Sequence, residues 1–235
     1  MSINTPTGRK YDYFKNLIIP VGCYFMVRLD GNCFSSYTDQ MERPFDQRFY
    51  QAVKESVVEM MEYIPSIYKA HFHSDEISLY FDRDSDWFNR RLEKVTSITA
   101  GLISSKFSVR AVNHGWGEAH FDSRVLVTPN KVDVEEYEKD RMLNAFRGCV
   151  NSYSYYKLRD SGLGARQATK RLATLKSKER QEMLFQEFGI NINDAPKWQK
   201  TGMFLVRESY EKEGFDPIKK QAVVATRNRI VEIKD

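Results

Sequence analysis

Val21-Gly22-Cys23-Tyr24-Phe25-Met26-Val27-Arg28-Leu29-Asp30-Gly31 is rich in β-branched, aromatic and apolar residues and ends in Asp-Gly. It reads as a buried strand that delivers an aspartate to its C-terminal edge. Moving outward, Pro44 opens a new element in which Phe49, Val53, Val57, Met60/Met61 and Ile64 recur every three or four residues. That spacing predicts an amphipathic helix ending near Pro65, and such a helix needs a sheet to cover. A second strand is expected over 66–73 and a third over 77–81, with Ser74, Asp75 and Glu76 between them. This is a hairpin with acids at its tip. After Asp86, the pattern Trp87, Arg90, Arg91, Lys94, Ile98, Leu102, Phe107 predicts a helix whose apolar and basic residues fall on different faces. Short strands are expected over 109–112 and 123–127. The order suits an α+β domain whose largely antiparallel sheet is covered on one face by two helices.

Beyond Lys131 the chain turns helical and basic, with segments near 133–159, 164–175 and 177–188 that carry Arg159, Arg166, Lys170, Arg171, Lys176, Lys178 and Arg180. A solvated helix face accounts for such charge as readily as a polyanion surface does. A loop over 191–196, a short strand over 201–206 and a charged, partly mobile tail after Glu211 complete the reading. This divides the chain into a region 1–135 and a helical, basic region 136–235, joined as one unit.

The 235 residues, 41% hydrophobic and 29% charged, exclude disordered and collagen-like classes and are enough for a sizeable core. Thirty-six basic against 32 acidic residues leave +4, an excess that permits a polyanionic partner without identifying one. No apolar run approaches the ~18–20 residues of a membrane helix, and the start MSINTPTGRKYDYF lacks a secretory stretch, so a cytoplasmic location is expected. Cys23, Cys33 and Cys149 form no C-x-x-C pair and read as reduced packing residues.

Asp30 at a strand end and Asp75-Glu76 at a hairpin tip can converge on one edge. Carboxylates packed that closely raise one another's pKa unless cations neutralise them, which points to Mg²⁺ or to a strong basic partner. Two Mg²⁺ ions roughly 3.5–4 Å apart are the machinery of in-line attack on a nucleoside triphosphate. Each motif alone also reads as an ordinary turn. Arg90, Arg91 and Lys94 would offer a cationic face to triphosphate or RNA. His71 and His73 share one side of a strand and are expected to pair with backbone or carboxylates rather than hold a metal. Trp116, Trp198 and Tyr153/Tyr155/Tyr156 read as core or as stacking platforms for bases.

Taken in order, Arg28-Leu29-Asp30-Gly31 with Phe34, Ser74-Asp75-Glu76-x-Ser78, Trp87-Phe88-x-Arg90-Arg91-x-x-Lys94, Phe121-Asp122-x-Arg124-Val125, and Lys178 through Leu184-Phe185-x-x-Phe188-Gly189-Ile190-Asn191 resemble the tRNA-His guanylyltransferase family and its Thg-like relatives, from about Tyr11 to Val206. The resemblance implies a polymerase-like palm run in reverse: a tRNA 5′-phosphate is activated with ATP or GTP, and the 3′-hydroxyl of an incoming triphosphate attacks it. It implies that Asp30, Asp75 and the Gly31 carbonyl hold two Mg²⁺ while Glu76 supports them as part of the catalytic set. It further implies a nucleotide pocket from Asp30, Gly31, Asn32, Cys33, Phe34 and Ser35 together with Ser74 and Asp75. Arg43, Arg90, Arg91 and Lys94 match basic triphosphate positions, and Asn151 and Ser152 match an Asn-Thr pair. A homotetramer built as a dimer of dimers is expected.

The chain departs from the pattern where the guanylyltransferases carry Trp-Arg-Gln and then His-Ile-Asn-Asn. Here stand Asp140-Arg141-Met142 and Ala145-Phe146-Arg147-Gly148, and the Thg-like relatives usually have an arginine near Arg147. Asn32 replaces a usual arginine. The leading expectation is therefore Mg²⁺-dependent, template-directed repair of tRNA 5′ ends. Its alternative is addition of the single extra 5′ G to tRNA-His. A palm acting on small nucleotides and a non-catalytic RNA-binding module stand behind these.

Overall fold

The computed structural model describes residues 14–218 and 220–233. The opening stretch read above, including Tyr11, lies outside them. In chain order the described elements are β1 (Tyr24–Gly31), α1 (Phe34–Tyr37), α2 (Gln47–Tyr63), β2 (Ile67–His73), β3 (Glu76–Phe81), α3 (Leu92–Asn113), β4 (Phe121–Thr128), α4 (Lys131–Asp160), α5 (Ala165–Ala173), α6 (Ser177–Phe188), α7 (Lys197–Lys200), β5 (Met203–Asp216) and β6 (Gln221–Glu232). The strands form one antiparallel sheet in the order β4-β1-β3-β2-β5-β6. The expected α+β architecture is what the chain adopts.

Strand periodicity decides which face each side chain takes. Phe25, Val27 and Leu29 of β1 join Ile77, Leu79 and Phe81 of β3 in the main core, together with Phe49, Val53 and Val57 of α2 and Val95, Ile103 and Phe107 of α3. Each such buried side chain contributes about 1.5–3 kcal/mol. Asp46 starts α2 by accepting from the amides of Arg48 (2.8 Å) and Phe49 (3.4 Å). Lys106 and Arg110 of α3 reach Glu55 and Glu59 of α2 across the surface. The intervening residues of β1 and β3, Met26 and Tyr80, face Val134 and Tyr137 of α4.

Three readings are corrected here. Residues 109–112 are the end of α3, where Val109 and Val112 point outward. Trp87–Arg90 is a short 3-10 turn rather than the start of that helix. The expected tail is a hairpin: β5 pairs with β2 only over Met203–Val206 but with β6 from Leu205 to Asp216. An arm of roughly 30 Å therefore leaves the sheet. Among the described residues no helix is long and apolar enough to cross a membrane.

β2 and β5 are keyed together by a histidine and a glycine. The buried His71 Nε2–H donates to Thr201 O (2.8 Å), and Gly202 follows with φ +78°. A Cβ there would meet His71 Nε2 and the Phe72 carbonyl at 2.6 Å each, so only glycine fits. Burial pushes the His71 imidazole down to about 4, the Thr201 carbonyl opposing it more weakly. Between pH 6.5 and 4 the unfolded chain takes up a proton that the folded chain refuses, so stability falls as pH falls. We expect a loss of about 3 kcal/mol over that window. Urea unfolding at stepped pH checks it: His71→Gln, which keeps a donor to Thr201, should flatten that part of the profile.

Candidate active site

Three chain segments meet at one end of the sheet: β1 ends at Gly31, β3 begins at Glu76, and the turn Ser74-Asp75 joins β2 to β3. Ser74 takes a left-handed conformation (φ +53°), and its hydroxyl donates to Asp75 Oδ1 (3.0 Å). Burial raises the Asp75 carboxyl above the usual carboxylate range, and the charges of Asp30 and Glu76 push the same way. Neither Asp30 nor Asp75 has an ion pair among the described residues. Two carboxylates sensing each other without a cation of the chain's own, offering only hard oxygen donors, suit Mg²⁺.

Glu76 has a strong basic partner. Its carboxylate accepts from Arg141 Nη1 of α4 at 3.2 and 3.4 Å, and no group of three His, Cys, Asp or Glu side chains among the described residues forms a metal-holding set. Asp30, Asp75 and Glu76 thus gather at one edge, and of the three Glu76 is the one that an arginine neutralises.

The chain after β1 turns sharply into α1. Asn32 N–H donates to His120 O (2.8 Å), Cys33 is left-handed (φ +60°), and the Phe34 ring folds back over Gly31. A Cβ on Gly31 would lie 2.2 Å from Phe34 Cδ2. Phe34 also packs on Tyr37 and Phe121, each at a 4.9 Å centroid separation. Gly31→Ala should therefore expel the ring, at a cost of about 1–3 kcal/mol. Because Phe34 also lines the cavity beside this turn, ligand affinity there should fall with it. A thermal melt paired with a GTP titration checks both.

A cavity of about 310 Å³ opens beside this turn, lined by Phe34, Ser35, Arg43, Phe45, Asp46, Phe49, Tyr50, His73, Ser74, Asp75, Ser152, Tyr156 and Trp198 among others. Much of its lining is aromatic: Tyr50 and Trp198 lie 4.7 Å apart, and Phe45 meets Trp198 at 6.0 Å. Its mouth is polar. Arg43 stands over the Tyr156 ring (5.0 Å) while donating to Asp39 (3.0 Å) and Thr38 Oγ1 (3.3 Å). Burial alone would raise the Asp46 carboxyl, but the Arg48 guanidinium and the amides of Glu42 and Arg48 outweigh it and hold it at about 2. His73 donates to Gln199 O (3.0 Å), and burial lowers its pKa.

Of the expected nucleotide residues, Phe34, Ser35, Arg43, Ser74 and Asp75 line this cavity, whereas Asp30 and Gly31, which end β1, and Asn32 and Cys33, which turn into α1, are outside its lining. Asn151 lies outside, accepting from Arg180 of α6 (2.8 Å). Arg91 pairs with Glu93 (2.6 Å), and Lys94 is exposed on α3. Arg90 cannot reach: it is buried at the opposite end of β1, bonded to the carbonyls of Ile19, Pro20, Cys23, Arg83 and Ser85. Sequence reasoning missed Phe45, Asp46 and Tyr50, whose spacing signals only a helix start. Trp198 and Tyr156 carried a signal as possible base-stacking aromatics.

Comparison with known proteins shows the family. The family model described as tRNAHis guanylyltransferase matches residues 7–129, and the one described as the Thg1 C terminal domain matches 147–234. The tRNA(His) guanylyltransferase of Debaryomyces hansenii is 30% identical over 229 residues, covering 90% of this chain and 86% of the relative. A bacterial tRNA(His) guanylyltransferase (Thg1)-like protein solved in complex with ATP superposes with a TM-score of 0.76 at 27% identity, covering 85% of this chain and 86% of the other. A bacterial Thg1-like protein in complex with GTP gives 0.70 at 25% identity, covering 93% and 88%. Palm-end carboxylates, aromatic cavity and chain-wide similarity agree: the chain belongs to the tRNA(His) guanylyltransferase family of nucleotidyltransferases.

Proposed function

We propose that this chain adds a guanylyl group to the 5′ end of tRNA(His), the activity for which its named relatives are called. The observation that carries the proposal is the pair Asp30 and Asp75, left without a cation beside an aromatic-lined cavity, in a chain similar to that family over most of its length. Asp30, Asp75 and the Gly31 carbonyl would hold two Mg²⁺. When bound, Mg²⁺ offsets triphosphate charge and makes a 3′-hydroxyl easier to deprotonate. The rest falls to the chain's own groups. Phe34, Tyr50 and Trp198 give a base flat apolar walls, and Ser35 and Ser74 offer hydroxyls at the mouth. Arg43, braced by Asp39 and Tyr156, presents its remaining donors to phosphate. ATP and GTP are the activating nucleotides proposed, since the two bacterial Thg1-like structures bind them. Assembly as a dimer of dimers belongs to the same proposal.

Template-directed repair of shortened tRNA is the second reading. It is favoured by Ala145-Phe146-Arg147-Gly148 on α4, where the resemblance leads one to expect His-Ile-Asn-Asn. Labelled GTP offered with full-length tRNA(His) transcript, and with a 5′-monophosphorylated tRNA lacking its first nucleotide, separates the two. Mg²⁺-dependent addition to the full-length transcript is the expected result. Addition confined to the truncated tRNA makes the chain a repair enzyme, and no addition to either, with tight salt-dependent tRNA binding, would leave an RNA-binding module.

A further inference from the structure

α4 is fastened to the β2–β3 hairpin by three polar contacts in a row. Glu138 accepts from Lys69 of β2 (2.6 Å), the Tyr137 hydroxyl bonds Ser78 Oγ of β3 (2.8 Å), and Arg141, one turn further along, reaches both carboxylate oxygens of Glu76. Arg141 is largely buried, with its guanidinium over the Tyr137 ring (5.6 Å), and its second nitrogen is taken by Asp140. Nothing in the reaction proposed above uses this arginine. Yet it cancels one of the three negative charges that meet at the hairpin tip.

Resting on the proposed metal site, we infer that Arg141 is a positioning residue that withholds Glu76 from the metal, leaving Asp30 and Asp75 as the carboxylates that bind it. Its loss has two consequences of opposite sign. Glu76 becomes a free carboxylate beside Asp75, so divalent ions bind more tightly by on the order of five-fold. The same ions then sit in a geometry that Glu76 shares, and turnover falls by on the order of ten-fold.

A mere brace behaves otherwise: loosening the hairpin weakens metal binding and turnover together. The test is Mn²⁺ binding to the intact chain followed by electron paramagnetic resonance, beside Mg²⁺-dependent turnover. Arg141→Met is expected to bind Mn²⁺ more tightly while turning over more slowly. Glu76→Gln added to it should return the affinity to the parent value, and Arg141→Lys, which keeps the charge, should stay near the parent in both. Weaker or unchanged Mn²⁺ binding in Arg141→Met, or the same tightening in the double variant, overturns the inference. Should Arg141→Met fail to fold, a parent-like affinity in folded Arg141→Lys supports it and a weakened one overturns it. Asp75→Asn in the parent reports separately on the metal site: undiminished Mn²⁺ binding there would show that the underlying site reading had failed, rather than the role of Arg141 within it.

Discussion

Asp75→Asn is expected to lower nucleotide transfer on the order of a thousand-fold while leaving the chain folded and its melting temperature unchanged or higher. The stability half follows from the carboxyl's surroundings. Burial, with Asp30 and Glu76 adding to it, raises the Asp75 pKa, and Ser74 is its only side-chain hydrogen-bond donor among the described residues. A raised carboxylate pKa means that the folded chain holds its proton longer than the unfolded chain does. Stability is therefore lost as pH rises from the unfolded carboxylate range through the folded value, and at neutral pH that penalty is in force. Asparagine keeps the shape and the acceptor for Ser74 and removes the penalty. Asp30→Asn should lower transfer in the same way, since Asp30 also lacks an ion pair among the described residues. Thermal melts with and without Mg²⁺ and GTP complete the check: the parent should gain stability from them by mass action and the variants should not. Parent-like turnover in either variant would end the metal reading.

Much of this site was legible because its signals are local. The alternation of Phe25, Val27 and Leu29, the Asp-Gly ending and the short polar interval between two β-rich runs each follow from strand and turn chemistry within a few residues. What local sequence could not show for Glu76 is its partner, because Arg141 lies 65 residues away on α4. Glu76 is the first residue of β3 and shares its face with Ser78, toward α4, whereas Asp75 is still in the turn. Val109 and Val112 suggested a strand because β-branched residues favour one. They lie on the exposed side of a helix whose other side, at Phe107 and Ala111, is fully buried, so core packing overrode propensity. The arm after Arg207 looked like a tail because nearly all its pairing is with itself, leaving no core-facing stripe to read. The cavity draws Phe45 and Tyr50 from around the start of α2 and Trp198 from α7, and spacing within either segment cannot show that they meet.

Arg90→Ala is expected to cost about 3–5 kcal/mol of folding stability, and Arg90→Lys nearly as much, the reverse of how a triphosphate-binding arginine responds. The sequence places Arg90 among basic residues at helical spacing, yet Phe88, Asn89 and Arg90 all have positive φ, between +51° and +58°. Such left-handed residues without glycine persist only where their surroundings over-determine them. Here the surroundings are five carbonyls, those of Ile19, Pro20, Cys23, Arg83 and Ser85, met at 2.7–3.2 Å by one guanidinium that also lies 5.0 Å over the Phe25 ring. Arg90 is 4% exposed and sits before the first residue of β1, about 20 Å of extended chain from Asp30. Alanine strands those carbonyls, and lysine, a compact ammonium with three protons, cannot serve an array shaped for a planar fork. At 2–4 °C per kcal/mol for a chain of this size, the melting temperature should drop by roughly 10 °C. GTP affinity of the folded fraction, measured well below that melting point, should stay within about two-fold of the parent, because no part of the cavity wall depends on the guanidinium. A large loss of GTP affinity with stability intact would move Arg90 back to the triphosphate and require the β1 entry to open when substrate binds.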